Sequence, residues 1–284
     1  MTTTAFTFAE ALRRARHQLE NISDTSQLDA EILLSHLLKC NRAYLRTWPE
    51  KQLAPEQQAQ FQKLVNRRQA GEPIAYIIGE RDFWDMNLRV STDTLIPRQE
   101  TETLVEQALD RIPQDAHWQI ADLGTGSGAI ALAIARERPL CELVATDISA
   151  AALAIARDNA TRNKVRNIRF VEGVWLAPLT GELFNMIVSN PPYVHPDDPH
   201  LKQGDLRFEP LSALHSTPDG LTDIRIICDT ARQHLYPGGW LLLEHGFDQG
   251  PATQACLTEL GYQQVQTIKD LAHLPRVPLG CWNS

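Results

Sequence analysis

Strands and helices that alternate along residues 118–284 predict an α/β fold, a mostly parallel sheet with helices on both faces. Three observations carry that expectation. Short apolar runs recur between turn residues, helical periodicity fills most of the gaps, and the first run ends in a glycine-rich turn that opens a helix. Ligands of such sheets bind at the carboxyl ends of the strands, near the switch in strand order.

The N-terminal part reads differently. Phe8, Leu12, Ala15 and Leu19 fall at helical spacing. A second helix over 29–38 carries Leu28, Ile32, Leu33 and Leu37 on its apolar face. Pro55 opens a third, running through Phe61, Leu64 and Val65 to Gly71. Residues 1–73 are therefore expected to form a small helical bundle. The runs 74–78, 83–84 and 88–90 predict short strands, which makes 74–100 a β-hairpin connector. Its lack of Gly/Ser richness argues that it is structured. A helix over 101–109 leads into the domain of 101–284. Its strands are expected at 119–123, 142–146, 168–171, 184–189, 239–244, 263–269 and 276–282, and its helices at 128–137, 150–161, 220–235 and 251–260.

Charge narrows the partners. The formal net charge is −8, with +1 on the first ninety residues and −9 on the rest. An acidic C-terminal part is a poor match for a phosphate backbone, so no DNA partner is expected. Five widely spaced cysteines form no CxxC pair, and the nine histidines are scattered, so no metal is expected. The N-terminus lacks a basic stretch followed by an apolar run, and no segment approaches the ~18 apolar residues of a membrane span. The expectation is a soluble cytoplasmic protein with no membrane partner.

The turn Asp122-Leu-Gly124-Thr125-Gly126-Ser127-Gly128 lets backbone N–H groups approach a ligand closely. Asp147, at the end of the second strand, can accept from both ribose hydroxyls. Gly124-x-Gly126-x-x-Ala129 also satisfies a loose dinucleotide fingerprint, so these residues alone leave NAD open beside S-adenosylmethionine. Trp175, after the third strand, stands where an adenine ring would lie; it is a candidate stacking wall, or an ordinary core tryptophan.

Asn190-Pro191-Pro192-Tyr193 follows the apolar strand 184–189 directly. An amide or aromatic amine nitrogen is a poor nucleophile, because its lone pair is delocalised. Two acceptors, the Asn190 side-chain oxygen and the Pro191 carbonyl, could grip both its N–H bonds and turn the lone pair towards a sulfonium methyl. Tyr193 could pack on the planar target group. The tetrapeptide decides for S-adenosylmethionine, and for methyl transfer to a planar nitrogen with S-adenosylhomocysteine as product. A rigid strand-ending turn is the bland alternative.

Further segments make the likeness narrow: Asp29-Ala-Glu-Ile-Leu-Leu34, Arg67-Arg68, Gly71-Glu-Pro-Ile-Ala-Tyr76, Phe83-Trp84, Leu95-Ile-Pro-Arg98, Glu100-Thr-Glu102, Arg207-Phe-Glu-Pro210, Asp219-Gly-Leu221 and Leu243-Glu-His-Gly246. With the glycine turn and Asn190–Tyr193, the chain resembles, nearly end to end, the release factor glutamine methyltransferases (PrmC/HemK family). The resemblance implies a Rossmann-like class I methyltransferase domain with a seven-stranded sheet, and methylation of the side-chain amide N(5) of the Gly-Gly-Gln glutamine in class 1 peptide chain release factors. It implies cofactor contacts at Gly124, Thr125, Gly126, Ser127, Gly128, Asp147, Trp175 and Asn190, and glutamine contacts at Asn190, Pro191, Pro192 and Tyr193. The N-terminal bundle would help to hold the release factor. Two departures stand out: Gln99 replaces a usual proline, and 270–276 lacks the usual glycine after Ala272 and the acidic residue before Arg276. An adenine-amine methyltransferase would use the same tetrapeptide on a flipped base, but should carry a basic groove. A ribosomal-protein glutamine methyltransferase would favour Ser-Pro-Ile where this chain has Gln99-Glu100-Thr101. A non-catalytic module fits poorly with an intact tetrapeptide, and a dehydrogenase has no use for it.

Overall fold

Thr7 starts the first helix through a capping box: its hydroxyl accepts from Glu10 N at 3.2 Å and Glu10 Oε2 accepts from Thr7 N at 2.9 Å. The computed structural model describes residues 6–195, 197–198, 204–216 and 220–283. The chain divides into two compact units, one running to Gly79 and taking in the segment that ends at Phe208, the other holding the remainder from Glu80 on.

The first unit contains α1 (Phe8–Leu19), α2 (Ser26–Leu38), α3 (Arg42–Thr47), α4 (Pro55–Gln69) and α5 (Ile74–Ile78). Phe8, Leu19, Leu33, Leu34, Leu45 and Phe61 are buried in one apolar cluster. Arg68 is buried on α4 and pairs with Asp29 Oδ2 and Asp205 Oδ1, both at 2.8 Å. A buried guanidinium needs such partners, so the pair ties residues 204–208 to this unit. The α5 helix corrects the strand expected at 74–78. Five apolar residues in a row have no period that separates a buried strand from a buried helical turn. Pro73 precedes the helix, and Gly79, at φ 77°, closes it in the left-handed conformation. The α3 helix, capped by Asn41 Oδ1 accepting from Tyr44 N at 2.9 Å, was not anticipated.

The second unit opens with a hairpin, β1 (Glu80–Phe83) paired antiparallel with β2 (Met86–Arg89). Trp84 lies in its turn, with its backbone N–H on Glu102 and its indole N–H on Glu137. A 3-10 turn at Gln99–Thr101 leads into α6 (Glu102–Arg111). Then follow β3 (Gln119–Leu123), α7 (Ala129–Glu137), β4 (Glu142–Asp147), α8 (Ala150–Arg162), β5 (Ile168–Glu172), β6 (Phe184–Ser189), α9 (Leu211–Leu214), α10 (Thr222–Ala231), β7 (Leu235–Leu243), α11 (Gly250–Glu259), β8 (Gln263–Lys269) and β9 (Pro275–Trp282). The seven-stranded sheet has the order β5-β4-β3-β6-β7-β9-β8, with β9 antiparallel to both neighbours and the other pairs parallel. Strand order reverses between β3 and β6. One apolar cluster includes Ile120, Leu132, Ile134 and Val188, and a second includes Leu123, Phe184, Ile187 and Leu241.

The expected elements of this unit are present, with shifted ends. The helix expected to reach Leu235 stops at Ala231, because Leu235 already pairs with Phe184 as the first residue of β7. Asp219, quoted above in Asp219-Gly-Leu221, lies outside the described residues, as do the first five residues of the N-terminus. Among the described residues no helix is long and apolar enough to cross a membrane.

The β8–β9 turn holds the segment 270–276. Asp270 is buried, and its Oδ1 accepts from Ala272 N at 2.9 Å and Leu274 N at 3.0 Å, while Oδ2 meets Arg276 at 3.1 Å. Burial pushes the Asp270 carboxyl up, but bonds from Leu274 N and Arg276 outweigh it and hold the group below its ordinary value. His273 then takes the left-handed position at φ 61° that a glycine would hold without strain. His273→Gly should therefore raise stability by about 0.5–1 kcal/mol, the strain relieved less the extra chain entropy of glycine. Chemical denaturation of both proteins checks this; an unchanged or lower midpoint would mean the turn holds no strain.

Candidate active site

Neighbouring parallel strands fix the height of every group at the carboxyl edge of the sheet. Leu123 pairs with Thr146 of β4 and with Ser189 of β6. The next residues along the three strands, Gly124, Asp147 and Asn190, therefore leave the sheet at one level. They border a cavity of about 370 Å³. Gly124, Thr125, Gly126, Ser127, Asp147, Trp175, Asn190 and Pro192 all line it.

The β3–α7 turn is built by its glycines. Gly124, Gly126 and Gly128 have φ of 70°, 57° and 87°. A Cβ on Gly124 would lie 3.0 Å from the Trp175 ring, so the bare backbone there lets the indole close over the turn. Gly128 lies outside the lining; it is the N-cap of α7, where a Cβ would press on Leu132 and Ala156. Thr125 Oγ1 donates to Asp122 Oδ2 at 2.6 Å and Thr125 N donates to Thr146 O at 2.9 Å, so the turn is held from below and from the side. Asp122 is fully buried, and loss of solvent lifts its carboxyl to about 7 against the hydrogen bonds from Thr125 and Ala131 N.

Asp147 also shapes the turn. Its Oδ2 accepts from Gly126 N at 2.8 Å and its Oδ1 from Ser149 N at 2.9 Å, so each oxygen keeps acceptor capacity towards the cavity. Trp175 sits at φ 47°, a left-handed conformation uncommon for a large residue. A hydrogen bond holds it there, Thr146 Oγ1 donating to its carbonyl at 3.0 Å. Burial raises the Asp223 carboxyl, and hydrogen bonds from Ser216 and Trp175 oppose that rise.

At the end of β6, Ser189 Oγ donates to Leu123 O at 2.7 Å, and Asn190 Nδ2 donates to Thr101 Oγ1 at 3.3 Å. Pro191 is buried and Pro192 lines the cavity. Tyr193 lies outside the lining. Its hydroxyl donates to Glu244 Oε1 at 3.2 Å, and its carbonyl accepts from Gln249 Nε2 at 3.1 Å. Desolvation, with the Glu244 charge beside it, raises the Tyr193 phenol well above its ordinary value. His245 is buried next to Glu244, its Nδ1–H donates to Gly246 O at 2.7 Å, and burial lowers its pKa. His195 Nδ1 accepts from Asp197 N at 3.0 Å. Among the described residues no group of three His, Cys, Asp or Glu could hold a metal ion.

Several lining residues had no assigned role in the sequence: Leu95, Pro97 and Arg98 on one lip, Pro210, Ser212 and His215 on another. Glu209 joins the lips, accepting from Ile96 N at 3.1 Å and pairing with Arg98 while fully buried. The segments Leu95–Arg98 and Arg207–Pro210 signalled this pair, but only the fold brings them together.

Two family models match the chain, one described as PrmC N-terminal domain over residues 10–79 and one as methyltransferase small domain over 100–204. A release factor glutamine methyltransferase of Xylella fastidiosa (strain Temecula1) is 54% identical over 254 residues, covering 89% of this chain and 92% of its own. One of Shewanella oneidensis is 48% identical over 274 residues, covering 96% of each. A crystal structure of a methyltransferase from Pyrococcus furiosus is similar with a TM-score of 0.55 at 18% identity, over 78% of this chain and 98% of its own, a likeness of fold.

Asp122 gives the site a pH signature. Its folded pKa of about 7 lies above the ordinary value of 3.8, so its share of stability is full below pH ~4 and is lost as pH rises to about 7. Asp122→Asn removes that loss. The stability difference between variant and wild type, from urea titrations at pH 4 to 8, should move in the variant's favour across this window. A difference that does not change with pH would show that Asp122 keeps an ordinary pKa.

Proposed function

The chain belongs to the release factor glutamine methyltransferase family, and from that premise we propose that it methylates N(5) of the Gly-Gly-Gln glutamine in class 1 peptide chain release factors, using S-adenosylmethionine. The observation that carries this reading is the level shared by Gly124, Asp147 and Asn190 at the edge of the sheet. A release factor works where translation does, so the reaction is cytoplasmic.

The residues present fit the cofactor. The glycine turn has room only for bare backbone beneath Trp175, and Asp147 keeps free acceptor capacity. The backbone of Gly124–Gly128 and Asn190 would border the amino-acid part, Asp147 would take the ribose hydroxyls and Trp175 would flank the adenine. When bound, S-adenosylmethionine supplies an electrophilic methyl group on a sulfonium.

The protein's task is then to make an amide nitrogen attack. Asn190 Oδ1 and the Pro191 carbonyl accept the two N–H bonds of the glutamine amide. That grip favours a pyramidal nitrogen whose lone pair leaves the carbonyl π-system, and it receives the positive charge as it develops. Pro191 has no N–H to compete for the same space. No strong base is required, because the proton leaves after the methyl arrives. A glutamine reaches the cavity only from an extended loop, so docking of the release factor supplies much of the specificity. An adenine-amine substrate suits the same tetrapeptide but not the −9 carried by the C-terminal part.

Methyl transfer from labelled S-adenosylmethionine to purified release factor tests the reading, beside a factor whose Gly-Gly-Gln glutamine is alanine, with DNA and ribosomal protein as parallel acceptors. Label on the wild-type factor alone is expected; label on another acceptor would overturn the substrate and keep the fold. Asn190→Ala should lower the transfer rate by roughly 100-fold or more, as for removal of an oxyanion-type contact, while cofactor still binds. Near-normal turnover in that variant would sink the role of the carboxamide.

A further inference from the structure

Besides its sulfonium and its adenosine, the cofactor carries a carboxylate at the end of its amino-acid arm. A carboxylate drawn out of water needs a cation or several N–H donors. The sheet locates that end of the ligand. Asp147 ends β4 and Asn190 follows β6, on opposite sides of β3, so two strand spacings, about 10 Å, lie between them. A ligand with its ribose on Asp147 and its methyl group near Asn190 lays its amino-acid arm on the β6 side of the glycine turn.

The cavity wall on that side holds Arg98. The Arg98 carbonyl accepts from Thr101 N at 3.2 Å, and Thr101 Oγ1 lies 3.3 Å from Asn190 Nδ2, so this turn of chain stands beside Asn190. Besides His215, the other ionisable groups of the lining are the carboxyls of Asp93, Asp147 and Asp223; among the described residues no second arginine and no lysine lines the cavity. Arg98 is also aimed. Glu209, whose side chain is fully buried, takes the Nη2 end of its guanidinium and accepts from Ile96 N at 3.1 Å with its other oxygen. A guanidinium has five N–H donors, so this one carboxyl leaves others to spare, and the Arg98 side chain stays 31% exposed.

We propose that Arg98 binds the α-carboxylate of S-adenosylmethionine, and that Glu209 is the positioning residue that holds the guanidinium at the cavity lip. A planar fork on a carboxylate fixes the direction of the arm as well as neutralising its charge, and so sets where the methyl group stands opposite Asn190. The inference rests on the cofactor reading above and deepens it.

Arg98→Met alone leaves Glu209 buried without its cation, which by itself destabilises a protein. The double variant Arg98→Met with Glu209→Gln avoids this, and the glutamine oxygen can still accept from Ile96 N. Calorimetry without any methyl acceptor compares two ligands, S-adenosylhomocysteine and its decarboxylated analogue. Wild type should bind S-adenosylhomocysteine more tightly than the analogue by roughly 10- to 100-fold, the scale of a hydrogen bond between charged groups. In the double variant S-adenosylhomocysteine should weaken by about that factor, while the analogue binds as it does to wild type. If the double variant does not fold, Arg98→Lys, which keeps a cation for Glu209 but not the fork, decides: a reduced preference supports the proposal and an unchanged one overturns it. Equal weakening of both ligands in the double variant, a preference that survives it, or a wild-type protein indifferent to the carboxylate would each overturn the proposal and keep the cofactor. A wild-type protein that binds neither ligand would remove the cofactor reading, and the proposal with it.

Discussion

Leu123 is hydrogen-bonded in register with Thr146 on one side and Ser189 on the other, and the site depends on that double register. A parallel sheet has evenly spaced bonds, so a slip of one residue in either neighbour would move Asp147 or Asn190 by a full step and point it at the opposite face. The slip is prevented by burial on both faces. Ile120, Leu123, Ile187 and Val188 are wholly buried. Moving any of these strands would unseat several such side chains at once, each contributing about 1.5–3 kcal/mol. The apolar sheet thus holds the polar groups at its edge to one height without touching a ligand itself.

What the sheet does not fix, buried polar side chains do. Asn159, on α8, receives the backbone N–H of Arg89 at 2.7 Å and donates to Arg89 O and Ser127 O, both at 2.9 Å. One side chain thereby joins the β1–β2 hairpin to the glycine turn. Gln249 plays a similar part on the other side, donating to the carbonyls of Tyr193 and Gly220 and accepting from Gly246 N. A Cβ on Gly220 would lie 2.5 Å from Gln249 Nε2, so that close approach requires glycine. Removing one partner from such a cluster strands the others away from water, which costs more than the bond contributed.

The strands of the catalytic unit were legible because each is an apolar run bounded by turn residues, and the glycine turn and Asn190–Tyr193 were legible because their meaning is local. The run 74–78 was misread because five consecutive apolar residues carry no period. The α9 helix, four residues long, was invisible for a related reason: it is too short to show one. Asn159 and Gln249 had no local signal at all, and the quoted segments that hold Glu209 and Thr101 gave no sign of their partners. The partners of these four lie 70, 56, 113 and 89 residues away in sequence, and polar spacing does not reveal such pairs. The same limit explains Tyr193. Read along the chain, it stands beside the reacting nitrogen; in space its hydroxyl turns back to Glu244, and Pro192 takes the cavity wall.

That placement bears on how a weak nucleophile can be used at all. A glutamine amide gains little from a base, so the site has no reason to bring a titrating group to the nitrogen. His245, next to Glu244, is buried with a lowered pKa and spends its Nδ1 proton on a backbone carbonyl. Glu244, whose carboxyl burial pushes up, lies outside the cavity lining and accepts from the Tyr193 hydroxyl instead. A carboxylate beside the reacting nitrogen would compete with Asn190 and Pro191 for the substrate's N–H bonds. On the proposed reading, the neutral acceptors of Asn190 and Pro191 face the reacting nitrogen. Catalysis of this kind is geometric, and it needs the rigidity that the double register of β3 provides.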